Sequence, residues 1–215
     1  MGKSYGEGCV EAHALDLIGD RWALLVVREL MLGPKRFGAI RQRLPGIATN
    51  MLTRRLEELE EAGILTRRPL TQPAGGQGYG LTDQGLALWP ILRELCRWGA
   101  SAPGHDHRLP ISPTALMLSM RAMWAGHGNA AVAAAFALED EDFVMIAGPD
   151  DLTVTRGDLQ AATLRFTGIA NDMAIVVYGP QTLAQSLDGG LLDFSGDREV
   201  GQTFLDAFSL GRTPA

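Results

Sequence analysis

Cysteine is scarce: Cys9 and Cys96 are the only two in 215 residues, too few and too widely spaced for a disulfide framework or a zinc cluster. No apolar run approaches the roughly 20 residues that a membrane-spanning helix needs, and no membrane partner is expected. The opening MGKSYGEGCVEAH lacks the apolar core of a signal peptide, which makes the cytosol the expected compartment. Catalytic signatures are missing too. There is no GxSxG, no metal-ligand cluster, and the glycines of GGQG (75–78) lack the strand-to-helix context of a nucleotide loop. Of His13, His105, His107 and His127 only the HDH pair is closely spaced, and with no Cys or Glu at ligand spacing it reads as polar linker. The acidic run EDED (139–142) has neighbours pointing different ways and reads as a solvated loop. Neither an enzyme nor a cofactor or metal is expected.

Positive charge is in short supply overall, with a net charge of −6, but the average hides a split. Residues 1–100 carry 13 Lys and Arg against 11 Asp and Glu, whereas the remainder carry 6 against 14. Between Arg21 and Arg68 the balance is ten basic to five acidic, and a local basic surface is what a phosphate backbone meets. The charge shift coincides with SAPGHDHRLPISP (101–113), whose three prolines and one glycine break every periodicity. That segment is the expected linker between a domain at 1–100 and another at 114–215.

Before the linker the pattern is mostly helical. VEAHALDLI (10–18) predicts a short amphipathic helix, and Asp20 a cap for a buried helix over 21–32 that ends at Gly33 and Pro34. RFGAIRQRL (36–44) sets Phe37, Ile40 and Leu44 on one face, and Pro45 and Gly46 force a turn. Thr49 is the expected N-cap of the next helix, in which Leu52, Leu56 and Leu59 recur at i, i+4 and i+7 before Gly63 stops it. ILTRRPL and YGLT read as a hairpin around a glycine-rich tip, and DQGLALWPILRELCRWG as a closing helix kinked at Pro90.

Helix, tight turn, helix and hairpin is the plan of a winged helix-turn-helix. With the leucine stripe facing inward, Asn50, Thr53, Arg54 and Glu57 point away near the N-terminal end of the second helix. Arg suits guanine and Asn suits adenine in the major groove, so Asn50, Thr53 and Arg54 are candidate base contacts. Arg36, Arg41 and Arg43 on the preceding helix, with Arg67 and Arg68 at the hairpin base, are candidate phosphate contacts.

The set formed by the cysteine before the first helix, GDRW, RFGAIRQRLPGI, MLTRRLEELEEAG and YGLTDQG, spanning about residues 8–99, resembles the HxlR family of bacterial winged-helix transcription regulators. The resemblance implies a homodimer, paired through the first and last helices of this domain, that binds a near-palindromic double-stranded operator, with repression as the expected mode. The hairpin departs from the family pattern because QPAGGQG carries no charge, which leaves Gln77 as the tip's candidate contact. Cys9 matches a position that senses redox state or electrophiles in some members, although Val10 stands where the family usually has proline. Redox sensing through Cys9 is therefore an alternative reading.

After the linker, Ser112 and Pro113 open a helix with Met117, Met120 and Trp124 on one face. AVAAAFALE, FVMIAG, LTVTRG, ATLRFTG and AIVVYG read as strands, followed by a helix PQTLAQSL, a strand LLDFSG and a helix REVGQTFLDAFSL. The expected class is α+β with an antiparallel sheet. The ending resembles the sterol-carrier-protein-like fold, which implies a pocket for a small apolar effector. Met120, Trp124, Phe143, Phe166 and Phe194 are the candidate lining. A lipid carrier with the winged helix as an interaction module is the reading from a different class.

Overall fold

Local sequence punctuation accounts for most of the N-terminal half in the computed structural model, which describes residues 4–70, 75–126, 132–148, 152–157, 160 and 162–210. The hairpin tip at 71–74 and His127 lie outside the described residues. Two compact units emerge, 1–92 and 93–215.

In the first unit, α1 (Val10–Ile18) leads into α2 (Ala23–Leu30). Asp20 does not cap α2. The N-cap is Trp22 in a left-handed conformation, φ 80°, with no side-chain cap, because the Asp20 carboxylate accepts from Arg55 Nη1 at 2.8 Å instead. α3 (Phe37–Arg43) follows, and Gly46 at φ +87° turns the chain into α4 (Thr49–Glu61). Thr49 is likewise not the cap: the chain enters through Ala48, so Thr49 is already helical and its carbonyl accepts from Thr53 Oγ1 at 3.1 Å. The stripe Leu52, Leu56 and Leu59 is buried with Val26, Val27, Leu30, Ile40 and Leu44. Burial of that apolar area, not capping, holds the helices.

Gly63, at φ +70°, stops α4 and β1 (Leu65–Pro69) pairs antiparallel with β2 (Gln77–Leu81), Leu65 opposite Leu81 and Pro69 opposite Gln77. Lys35 joins this hairpin through a two-way backbone bridge to Tyr79, 3.0 and 2.9 Å. Thr82 then caps α5 (Asp83–Leu86) by accepting from Gly85 N. The long helix expected to kink at Pro90 is instead broken at 87–88, and α6 (Trp89–Ser101) starts afresh. Pro90 sits in its first turn, where a missing N–H leaves no bond unmade.

Gly85 is the tightest point of this unit. A Cβ there would lie 2.1 Å from the Ile64 carbonyl oxygen, a backbone atom that cannot swing away. Gly85→Ala is therefore expected to destabilise the unit by about 1–3 kcal/mol, the usual cost of overpacking. A chemical-denaturation midpoint equal to wild type would refute that.

In the second unit Ser112 caps α7 (Pro113–Met123), accepting from Ala115 N at 3.1 Å. β3 (Val132–Leu138), β4 (Glu141–Ala147), β5 (Leu152–Arg156), β6 (Leu164–Gly168) and β7 (Leu192–Ser195) form one sheet in the order β5-β4-β3-β6-β7. It is mixed and not purely antiparallel, since β3 and β6 run parallel, with Phe136 opposite Phe166. Alternation marks a strand but carries no information about the direction of its partner. AIVVYG is not a strand but the end of α8 (Ala170–Tyr178), where Ala170, Met173, Val176 and Val177 are buried at helical spacing. Packing of that stripe overrides the β-propensity of its branched residues. α9 (Leu183–Asp188) carries a capping box from Thr182 and Gln185, and Asp197 caps α10 (Arg198–Leu205).

EDED is more than a solvated loop. Glu139 turns the β3–β4 hairpin at φ 52° and its Oε1 accepts from Ala170 N at 2.9 Å, closing the start of α8. Glu141 is buried within β4 and pairs with Arg156 at 2.9 Å. Among the described residues no helix is long and apolar enough to cross a membrane.

Candidate nucleic-acid interface

Helix α4 divides cleanly. Its inward side holds Leu52, Leu56 and Leu59, and its outer side near the N-terminus exposes Asn50, Thr53, Arg54 and Glu57. Asn50 Oδ1 accepts from Met51 N at 2.8 Å, which leaves its amide nitrogen directed elsewhere. Arg54 is 67% exposed and donates through Nε to Glu58 Oε1 at 2.8 Å.

Arg55 is the residue that sequence reasoning missed. It is buried in the packed face, and its Nη1 donates to both Asp20 and Glu58. A signal was present: Leu52, Arg55, Leu56 and Leu59 fill i, i+3, i+4 and i+7, so an arginine occupies one apolar slot of the template. A guanidinium there needs carboxylates, and two supply it.

The flanking cations differ in how they are held. Arg36, at the N-cap of α3, donates through Nη2 to the Gly75 carbonyl. Arg41 is exposed and, among the described residues, forms no hydrogen bond or ion pair, while Arg43 is half-buried. Arg67 is exposed, lies 3.4 Å from Glu60, and covers the Tyr79 ring at 5.8 Å. Arg68 donates to the Leu81 carbonyl at 3.0 Å. Gln77 is exposed at the start of β2. Beneath this surface Glu29, with a fully buried side chain, binds Lys35 Nζ at 3.0 Å and Arg28 at 2.9 Å. The pair ties the end of α2 to the segment that bridges Tyr79.

Cys9 is a half-buried free thiol at the N-cap of α1, and an anion meets its sulfur: Sγ donates to Glu11 Oε2 at 2.7 Å. That bond, followed by a backbone one, holds the Glu11 carboxyl below its ordinary value. Cys96 is also free and half-buried. The Arg108 guanidinium beside Asp106 holds that carboxyl below the carboxylate range. Among the described residues no three His, Cys, Asp or Glu are placed to hold a metal.

In the second unit Met120, Phe143 and Phe166 are fully buried. Phe194 packs on Phe166 at 5.0 Å and Trp124 on Phe208 at 5.4 Å. Phe136, Phe204 and Phe208 complete one aromatic cluster. A cleft of about 220 Å³ touches this cluster only through Phe208 and is lined otherwise by Val176, Tyr178, Gln181, Gln202 and Asp206 among others, and none of the five candidate lining residues borders it. Burial raises the Tyr178 hydroxyl above its ordinary value, and Ser119 Oγ shares a hydrogen bond with it at 2.8 Å.

Residues 17–106 match the family described as HxlR-like helix-turn-helix. The chain is 40% identical over 84 residues to the uncharacterized HTH-type transcriptional regulator YkvN of Bacillus subtilis, covering 39% of this chain and 71% of that protein. It is 40% identical over 85 residues to the HTH-type transcriptional regulator YodB of the same organism, 40% of this chain and 76% of that one. Among solved structures, the reduced form of YodB is 36% identical and covers 46% of this chain and 100% of that one, with a TM-score of 0.40. With the family match over residues 17–106 and a relative 40% identical over 71% of its own length, the chain belongs to the HxlR-like helix-turn-helix family.

Proposed function

We propose that this DNA-binding transcription regulator works as a homodimer whose α4 helices read the major groove of a near-palindromic operator, with repression as its mode. The observation that carries the reading is the division of α4: leucines hold one face while Asn50, Thr53 and Arg54 are exposed at its N-terminal end. Recognition helices of this class contact base edges with their N-terminal residues. Arg36, Arg41, Arg43, Arg67, Arg68 and Gln77 flank it as backbone contacts. The relatives are transcriptional regulators by name and not enzymes.

Exposed apolar side chains support the dimer. Val10 and Leu15 stand out on α1, and Ile91, Leu95 and Trp98 recur at i, i+4 and i+7 on α6, with Trp98 69% exposed. Such stripes mark association surfaces. Residues 1–100 are the DNA-binding and dimerisation domain in this reading, 101–113 the linker, and 114–215 a sterol-carrier-protein-like domain for a small apolar effector. The cleft bordered by Val176, Val177 and Phe208 is the opening that supports this reading, whereas Met120, Phe143 and Phe166 are packed as core, with Phe194 on Phe166 and Trp124 on Phe208. Effector binding alters the spacing of the two α4 helices, which must match grooves about 34 Å apart. The cytoplasm is the proposed compartment.

The test is binding to the protein's own upstream promoter fragment against random duplex at two salt concentrations. Selective, salt-sensitive binding is expected. Arg54→Ala should cost about 1–3 kcal/mol on the selected site alone; equal weakening on random DNA would reassign Arg54 to phosphate. Redox sensing through Cys9 is the second reading, favoured by the thiol's place at a helix N-terminus and opposed by Glu11 on its sulfur. Cys9→Ser is expected to leave a reporter on that promoter unchanged under a thiol oxidant such as diamide, and a lost response would transfer sensing to the thiol.

A further inference from the structure

The two adjacent arginines of α4 share one carboxylate, and this arrangement deepens the base-reading role on which it rests. We propose that Glu58 is a positioning residue that aims the Arg54 guanidinium at a single base. An arginine fork recognises guanine through two parallel N–H groups, so its plane has to be set before contact if the discrimination is to be large. Arg54 gives its Nε–H to Glu58 Oε1 at 2.8 Å, and among the described residues its two terminal nitrogens make no hydrogen bond. The side of the guanidinium that faces away from Glu58 is thus the side free to meet an O6 and N7 pair.

An exposed i,i+4 ion pair alone would not fix a rotamer, because water and salt screen it and holding two long side chains costs entropy. Glu58 is different because it is itself held. Its second oxygen accepts from Arg55 Nη1, and the Arg55 side chain is only 7% exposed. The same nitrogen donates to Asp20 Oδ2 at 2.8 Å, on the turn between α1 and α2. Orientation therefore passes from that turn, through a buried guanidinium and a half-buried carboxylate, to the exposed guanidinium. Arg55 is the anchor and Arg54 the reader. Glu58 also brings an anion close to the duplex, which lowers affinity for every sequence and leaves discrimination to the aimed fork.

The experiment starts from a randomised duplex library enriched on the wild-type protein. Dissociation constants are then measured at one salt concentration on the selected duplex, on its single-pair variants, and on random duplex. Glu58→Gln is expected to lower preference at one base pair about tenfold, the equivalent of one aimed bidentate contact, while binding random duplex at least as well as wild type. Arg54→Ala should lose preference at that same pair, and adding Glu58→Gln to it should remove nothing more. Asp20→Asn, on a side chain that is 63% exposed and lies outside α4, should weaken the same preference by a smaller factor at a temperature where circular dichroism shows the variant fully folded. Preference retained in Glu58→Gln overturns the proposal. So does equal weakening on all duplexes, or a Glu58→Gln effect that persists in the Arg54→Ala background. Failure of the wild type to enrich any sequence removes base reading itself, and with it the positioning role, on the wild-type result alone.

Discussion

Glu29→Ala is expected to destabilise the N-terminal unit by about 3–5 kcal/mol, the usual cost of breaking a buried ion pair from one side. The carboxylate has no solvent exposure and sits 3.0 Å from Lys35 Nζ, whose side chain is 2% exposed, and 2.9 Å from Arg28. Its removal takes a carboxylate from an ammonium group where water does not reach, and the cost of desolvating that charge rises. Lys35 has little freedom to escape, because its backbone is bridged to Tyr79 in both directions. The loss is of the same order as the stability of an entire small domain, so the variant should also fail to hold DNA at growth temperature. Denaturant unfolding followed by far-ultraviolet circular dichroism checks this. A loss under 1 kcal/mol would show that Lys35 finds another anion. Replacing both partners with apolar residues of similar volume should restore most of the loss, since the pair roughly breaks even against good packing.

Phe166→Ala is the second large effect, again about 3–5 kcal/mol, here from a cavity in the C-terminal unit. The ring is fully buried and centred among Phe136 at 5.1 Å, Phe194 at 5.0 Å and Phe204 at 6.2 Å. Because those three come from β3, β7 and α10, no single side-chain movement can fill the hole. Calorimetry should show the transition of residues 93–215 moving down by roughly 10–20 °C while duplex binding at low temperature persists. An unchanged thermogram would mean that the cluster collapses around the gap.

The helices of the DNA-binding half were readable because glycine, proline and a leucine stripe act locally. Leu52, Leu56 and Leu59 are buried as their spacing predicts. What failed to read was whatever depended on partners distant in sequence. Asp20 and Thr49 have the side chains of N-caps, but Asp20 answers to Arg55, 35 residues away, and Thr49 lies one position inside its helix. The branched run in AIVVYG looks extended until the rest of the unit offers its stripe a surface. The parallel pairing of β3 with β6 was equally hidden, since alternation is blind to strand direction. At the candidate interface the outward positions of α4 followed from periodicity, whereas the buried Arg55 required reading a charge as part of the core.

The place of β3 has a consequence for how this chain is made. On one side it pairs with β4 after a two-residue turn; its other edge waits for β6, whose first residue, Leu164, arrives 26 residues after Leu138. During synthesis the hairpin can close while VAAAFAL still presents a row of unsatisfied N–H and C=O groups. At about 5–20 residues per second that edge stays open for seconds, longer than a hairpin takes to form. Two nascent chains on one messenger meet in that interval with matching apolar edges, the circumstance in which strands join the wrong partner. Slower translation between codons 139 and 163 should therefore raise the insoluble fraction without altering the finished fold.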